Sequence, residues 1–144
     1  MAVWQSTSGG NIPANAVRAG FEENGQPLFI ALAVMEDGQK TPGKTGANLP
    51  GAHIPWGGKE VIVENYEILV QPPDSIGHYE WRKCSGGEVP DGAFATEAGL
   101  YVGRCAHEGG LVPCKVYTPH GCAYIPYGGE ERNCPDYEVF CRVK

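Results

Sequence analysis

The stretch Ile54-Pro55-Trp56-Gly57-Gly58-Lys59-Glu60 returns 71 positions later as Ile125-Pro126-Tyr127-Gly128-Gly129-Glu130-Glu131. The apolar run 65–70 that follows it is matched by the run 136–140 at the same offset. An internal repeat of this kind decides the architecture of a chain before any local assignment does. The 144 residues are therefore interpreted as two related units, 1–72 and 73–144.

The repeat extends upstream with a different offset. Residues 12–16 match residues 89–93 at an offset of 77, whereas Lys44 and Lys115 are 71 positions apart. The second copy has therefore lost 6 residues between these points. A unit of about 70 residues buries only a marginal core by itself. We expect the two copies to pack on each other as one compact unit.

The composition and the apolar pattern both indicate β-structure. The chain has 21 glycines and 12 prolines, which disfavour long helices. Short apolar segments alternate with period two, as in Tyr137, Val139, Cys141 and Val143, and turn residues separate them. The pattern predicts an all-β fold of two tandem, pseudo-twofold-related antiparallel repeats, with a sandwich- or barrel-like arrangement.

The charge and the ends of the chain limit the partners. The net charge of -6, without a basic run, argues against nucleic acid as a partner. No apolar stretch reaches the length of a membrane span. Residues 1–10 lack the basic and apolar regions of a secretory signal, which predicts a cytoplasmic location, with release from the cell by a non-classical route as the other option.

The cysteines are confined to the second copy. If disulfides held the fold, the first copy would lack what the second requires. We therefore interpret these residues as reduced thiols that fill small apolar positions. They are Cys84, Cys105, Cys114, Cys122, Cys134 and Cys141.

The cysteines and histidines of the second copy suggest two kinds of chemistry, metal binding and nucleophilic catalysis. Cys105-x-His107, Cys114 and His120-x-Cys122 offer soft metal ligands, but no C-x-x-C pair occurs and the spacing is not that of a zinc site. Cys105 with His107 or His120 could form a nucleophile and base, but neither a nucleophile elbow nor a phosphate loop accompanies them. The sequence thus predicts no metal, no cofactor and no enzymatic activity.

An acidic residue and a lysine recur in both copies. Glu22 precedes Lys44 in the first copy, and Glu97 precedes Lys115 in the second. A carboxylate beside an ammonium offers acceptors and donors together, which suits the vicinal hydroxyls of a sugar, and an aromatic ring could cover its apolar face. The other interpretation is a glutamate–lysine pair that closes a loop.

These motifs resemble the DM-nine repeat family. The opening of that repeat resembles residues 13–30, its Pro-Gly-Lys turn resembles residues 42–44, and its aromatic-Gly-Gly loop with the Tyr-Glu strand resembles residues 56–69 and 127–140. The chain resembles small molluscan lectins built from two such repeats. That resemblance implies a homodimer that binds mannose or mannose-rich glycans without calcium and acts as a pattern-recognition protein in innate immunity.

The resemblance also implies which residues bind the sugar. The acidic residue and the lysine of the family correspond to Glu22 and Lys44, although the lectins tend to carry Asp at the first position. Glu97 and Lys115 would form a weaker second site, because the turn before the second strand is cut out of that copy. The alternative function is an intracellular protein-interaction or scaffold module in which the acid–lysine pairs are structural.

Overall fold

The repeat folds as antiparallel strands in the computed structural model, which describes residues 1–143. The strands of the first copy are β1 Val3–Ser8, β2 Arg18–Phe21, β3 Pro27–Val34, β4 Lys40–Thr45, β5 Ala52–Trp56, β6 Lys59–Val63 and β7 Asn65–Val70. Those of the second are β8 Tyr79–Ser85, β9 Ala95–Glu97, β10 Leu100–His107, β11 Gly110–Tyr117, β12 Cys122–Tyr127, β13 Glu130–Cys134 and β14 Asp136–Arg142. A 3-10 turn, Thr118–His120, joins β11 to β12. Residues 1–143 contain no helix that is long and apolar enough to cross a membrane.

The order of the strands reads the same from both ends. It runs β1-β7-β3-β4-β5-β6 and then β13-β12-β11-β10-β14-β8, so each of these six strands of the first copy has its counterpart at the mirrored place, while β2 and β9 lie off this path. The two halves meet where Lys59 of β6 pairs with Glu130 of β13. Such an order is what a pseudo-twofold relation between two identical strand arrangements produces. The predicted all-β, pseudo-twofold antiparallel architecture is confirmed.

A second contact between the copies closes a ring of strands. β2 pairs with β3 of its own copy and, through Phe21 and Leu111, with β11 of the other. Strands β3, β4, β5, β6, β13, β12, β11 and β2 then form a closed circuit of eight. Gly20 permits this closure, because a Cβ at that position would collide with the carbonyl oxygen of Leu111. The barrel-like expectation is therefore also correct.

Three apolar clusters form the core. One belongs to the first copy and includes Ile54 and Ile68, and one belongs to the second and includes Val116 and Ile125. The third is shared by both copies and contains Ala2, Ala19, Ile30, Leu69, Val102 and Phe140. Aromatic rings support the shared cluster, with Tyr79 stacked on Phe140 at 4.8 Å between centroids. The shared cluster explains why two small units pack as one body.

The cysteines fill space in the second copy. Within residues 1–143 all six are free thiols, and four of them are buried. Cys105 and Cys114 lie on neighbouring strands with their sulfurs 3.7 Å apart. The hydrogen bond between these thiols and the burial of Cys105 raise the pKa of the Cys105 thiol well above its usual range, so it stays protonated. These residues act as small core side chains.

Candidate functional site

Two glutamates connect the copies at the β6–β13 junction. Glu60 Oε1 accepts a hydrogen bond from the Gly129 amide at 2.8 Å, and Glu131 Oε1 accepts one from the Gly58 amide at 2.9 Å. The glycine turns adopt the positive φ angles that free these amides, 82° at Gly58 and 84° at Gly129. Each carboxylate therefore reaches across the pseudo-twofold axis to the turn of the other copy.

The remaining oxygen of each glutamate faces a buried lysine. Lys44 is 5% exposed and Lys115 is 6% exposed. Lys115 Nζ lies 2.7 Å from Glu131 Oε2, but Lys44 Nζ lies 3.6 Å from Glu60 Oε2. The first distance is a charge-assisted hydrogen bond and the second is too long for one. The two lysines are thus equivalent in sequence and different in bonding.

A histidine causes this difference. His53 Nδ1 lies 2.7 Å from Glu60 Oε2, the same oxygen that faces Lys44. At the matching position of the second copy stands Tyr124, whose hydroxyl is bonded to His120 at 2.9 Å and leaves Glu131 to Lys115. The Lys44 ammonium therefore keeps donor capacity that Lys115 has already used.

The Glu60 carboxylate is held in its ionised form. Burial raises its pKa, but the hydrogen bonds from His53 and the Gly129 amide, together with the positive charge of Lys44, outweigh burial and lower the pKa to about 2. The carboxylate is therefore negatively charged throughout the neutral and mildly acidic range, and this charge compensates the positive charge of Lys44.

This shift predicts an acid dependence of stability. Because the pKa of Glu60 falls from 4.5 to about 2 on folding, its contribution is full above about pH 4.5 and is lost as the pH falls toward 2. Because water reaches part of the carboxylate, we expect Glu60 to contribute about 2 kcal/mol to the free energy of unfolding. Urea unfolding of Glu60→Gln should show less loss of stability with acid than wild type. The exposed Glu36→Gln variant should match wild type, and equal pH profiles for all three would contradict the prediction.

A cavity of about 450 Å³ is built from both copies and is lined in part by Tyr127, whose ring Lys44 approaches. The first copy supplies the end of β2 and the turn after it, and the second supplies the β10–β11 turn and the end of β12. Its lining residues are Phe21, Glu22, Glu23, Asn24, His107, Gly110, Val112 and Tyr127. Lys44 Nζ lies 5.2 Å from the centroid of the Tyr127 ring, and the His107 ring meets that ring edge-on at 4.5 Å.

The turn after β2 presents the acidic wall of the cavity. The Glu22 amide donates to the Gln26 carbonyl at 2.8 Å, and Asn24 Oδ1 accepts from the Gln26 amide at 3.0 Å. Gly25 supports the turn with a φ of 89°. Glu22 is half-buried at the base of this turn. The residues that the second copy has lost include this turn, so the mirrored position has no such wall.

The structure places the predicted site residues as follows. Glu22 lines the cavity, whereas Lys44 does not line it and is connected to it through the Tyr127 ring, whose centroid lies 5.2 Å from Lys44 Nζ. Within residues 1–143 no ion pair joins these two, because the carboxylate that faces Lys44 is Glu60. The expected direct contact between the two residues is therefore replaced by a shared neighbour, Tyr127.

Glu97 and Lys115 are not brought together. Lys115 pairs with Glu131, whereas Glu97 Oε1 accepts the Lys40 amide at 2.6 Å. The strand register explains this, since Glu97 pairs opposite Leu100 just as Gly20 pairs opposite Leu28. Glu97 is thus the counterpart of Gly20 and not of Glu22, and it connects the copies.

Sequence reasoning missed the residues that engage the lysines. The signal was available, because Glu60 and Glu131 are separated by the same 71 positions as Lys44 and Lys115. The change from His53 to Tyr124 occurs at that offset as well. No local pattern shows that this change controls how tightly each lysine is held.

The cysteine and histidine side chains that the sequence offers as metal ligands make other contacts instead. Cys105 contacts Cys114, His107 packs on Tyr127, and His120 binds Tyr124. Across the described residues 1–143, no group of three or more cysteine, histidine or acidic side chains is placed to hold a metal ion.

Comparisons with solved structures place the fold. The chain is similar to the crystal structure of the nematode sperm cell motility protein MFP2B, with a TM-score of 0.71 at 18% identity. The match covers 99% of this chain and 46% of that chain. At this identity the likeness shows the fold alone.

Comparisons of sequence identify the family. Natterin-4 of Thalassophryne nattereri is 31% identical over 130 residues, which are 90% of this chain and 31% of that protein. Natterin-3 of the same species is 36% identical over 96 residues, 67% of this chain and 24% of that protein. The chain thus spans less than a third of the curated relatives it matches. The DM9 repeat model matches residues 1–48 and 34–134, and the chain belongs to the DM9 repeat family.

Proposed function

We propose that this protein is a lectin that binds mannose, or one mannose unit of a mannose-rich glycan, in the cavity lined by Glu22 and Tyr127. The observation that supports this most is the Lys44 ammonium, which lies 3.6 Å from the Glu60 carboxylate and 5.2 Å from the centroid of Tyr127, a ring that lines the same cavity as Glu22. A cavity of about 450 Å³ is within the range of small-molecule sites.

In the proposed mechanism, the protein contributes one acceptor, one donor and one ring. The Glu22 carboxylate accepts hydrogen bonds from two neighbouring sugar hydroxyls, and Lys44 donates to an oxygen between them. Tyr127 limits the cavity on the side of Lys44 and contacts the apolar face of the sugar. This mode needs neither calcium nor a catalytic group, so we propose binding without turnover.

Membership of the DM9 family supports a carbohydrate-binding role in defence, and the likeness to natterins is compatible with it. Mannose itself is proposed because the motifs around Glu22 and Lys44 resemble those of mannose-binding DM9 lectins. Recognition of microbial glycans in innate immunity is the physiological role that we propose.

We further propose one strong site per chain. In the second copy Lys115 Nζ lies 2.7 Å from Glu131 Oε2, and Glu97 Oε1 accepts a hydrogen bond from the Lys40 amide. Those residues therefore form at most the weaker site. A single monosaccharide site binds weakly, so a homodimer would raise avidity toward arrayed glycans through effective concentration.

A glycan array followed by calorimetric titration tests this proposal. We expect wild type to bind mannose-rich glycans, with or without a chelator, and Glu22→Gln to lose about tenfold in affinity, because hydrogen bonds to the charged carboxylate are weakened. The exposed Glu36→Gln variant is the control. Absence of sugar binding at millimolar concentrations, or equal binding by Glu22→Gln, would contradict the lectin mechanism and favour the protein-interaction module.

A further inference from the structure

The cavity has more acidic groups around it than binding of a neutral sugar requires. Glu22 and Glu23 line it, and Glu108 lies beside it with Oε2 3.0 Å from His107 Nε2. Glu23 packs against the β10–β11 turn, where a Cβ added to Gly109 would lie 3.2 Å from the Glu23 Cγ. Two carboxylates from one copy and one from the other therefore surround the same opening.

His107 faces Glu108 at 3.0 Å, and the other basic side chains near the cavity face carboxylates that do not line it. Lys44 faces Glu60, and Arg132 pairs with Glu130 at 3.2 Å while it donates to the Tyr127 carbonyl at 2.9 Å. Within residues 1–143 neither Glu22 nor Glu23 takes part in an ion pair.

The Tyr127 hydroxyl responds to this excess of negative charge. Partial burial raises its pKa, and the charges of Glu108, Glu23 and Glu22 raise it further. The cavity of the proposed sugar site therefore lies in a negative field, with the His107 and Tyr127 rings next to the carboxylates.

We propose that this cavity selects glycans that carry a free ammonium group, namely unacetylated hexosamine units. The inference rests on the proposed function, since it adds a charge preference to the same sugar site. An ammonium substituent offers up to three donors to Glu23 and Glu108, while the ring hydroxyls face Glu22 and Lys44. N-acetylation removes that charge, and sulfated or carboxylated sugars are repelled.

The test is a calorimetric titration of the full chain with four probes. These are a glucosamine oligosaccharide, its fully N-acetylated form, a mannose oligosaccharide of the same length and an oligolysine of the same charge, at mildly acidic pH. We expect the glucosamine oligosaccharide to bind about tenfold more tightly than the two neutral sugars, because several partly exposed charge pairs add up to this amount. The advantage should decrease as salt is added.

A pair of variants locates the effect. Glu23→Gln/Glu108→Gln should reduce the ratio of glucosamine to mannose affinity to near one. Glu36→Gln removes one negative charge from the exposed β3–β4 turn and should leave the ratio unchanged.

The outcomes separate this inference from the proposed function. Equal affinity for glucosamine and mannose, an unchanged ratio in the double variant, or oligolysine binding as tight as that of the glucosamine oligosaccharide would each overturn the charge preference. Failure of every sugar to bind would overturn the lectin function itself.

Discussion

Replacing Lys44 with methionine should weaken glycan binding by a factor of about 10 to 100 and leave the fold intact. A hydrogen bond from a charged donor contributes about 1.5–3 kcal/mol, which corresponds to this range. The loss of stability should be small, about 1 kcal/mol, because Glu60 retains its hydrogen bonds from His53 and the Gly129 amide. Methionine also preserves most of the apolar stem that lysine buries.

Titration calorimetry with a mannose-rich glycan and urea unfolding measure the two effects on the same protein. The matched control is Lys115→Met, which removes the same group at the equivalent position of the second copy. If Lys44→Met binds the glycan as wild type does, Lys44 does not contact the sugar. If both variants lose binding equally, the two copies contribute alike and the proposal of one strong site is wrong.

Replacing Lys115 with methionine should instead destabilise the protein by about 2–3 kcal/mol. Removing one partner of a buried ion pair leaves an uncompensated charge, which typically costs about 3–5 kcal/mol. Glu131 retains the Gly58 amide, and its side chain is 12% exposed, so the cost is reduced. No histidine donates a hydrogen bond to Glu131 in its place, because Tyr124 stands where the first copy has His53.

Urea unfolding of Lys115→Met and of Lys115→Met/Glu131→Gln measures this effect. The double variant should recover part of the loss, because a neutral amide no longer needs a cation and can still accept from Gly58. A Lys115→Met variant as stable as wild type would show that the 2.7 Å pair contributes nothing net. Mannose affinity should change little in either variant.

Much of the fold could be predicted from the chain. The recurrence of the aromatic-Gly-Gly loop at Trp56 and Tyr127 marked the two copies, and period-two alternation indicated strands. Glu22 and Lys44 could also be predicted as candidate site residues, and the structure places Glu22 in the lining of a cavity and Lys44 5.2 Å from the centroid of Tyr127, another lining residue. These predictions rest on patterns that are local along the chain, or on residues that both copies share.

The composition of the site could not be predicted. The cavity combines a turn after β2 with the β10–β11 turn, and these meet because β2 pairs with a strand of the other copy. Glu97 was assigned to the place of Glu22, but the register along β9 and β10 puts it at the place of Gly20. The offset of 77 that holds upstream of the shortened turn also relates Gly20 to position 97, so this correspondence was present in the repeat itself.

The sequence by itself determined that the protein has two related β-repeats, with a lysine at the same place in each. Only the tertiary structure decided that these lysines differ. The reason is that bond formation depends on which atoms compete within a few ångströms. His53 occupies the Glu60 oxygen that faces Lys44, whereas Tyr124 turns to His120 and leaves Glu131 to Lys115. That competition depends on side-chain positions on three consecutive strands of each copy, and periodicity carries no information about it.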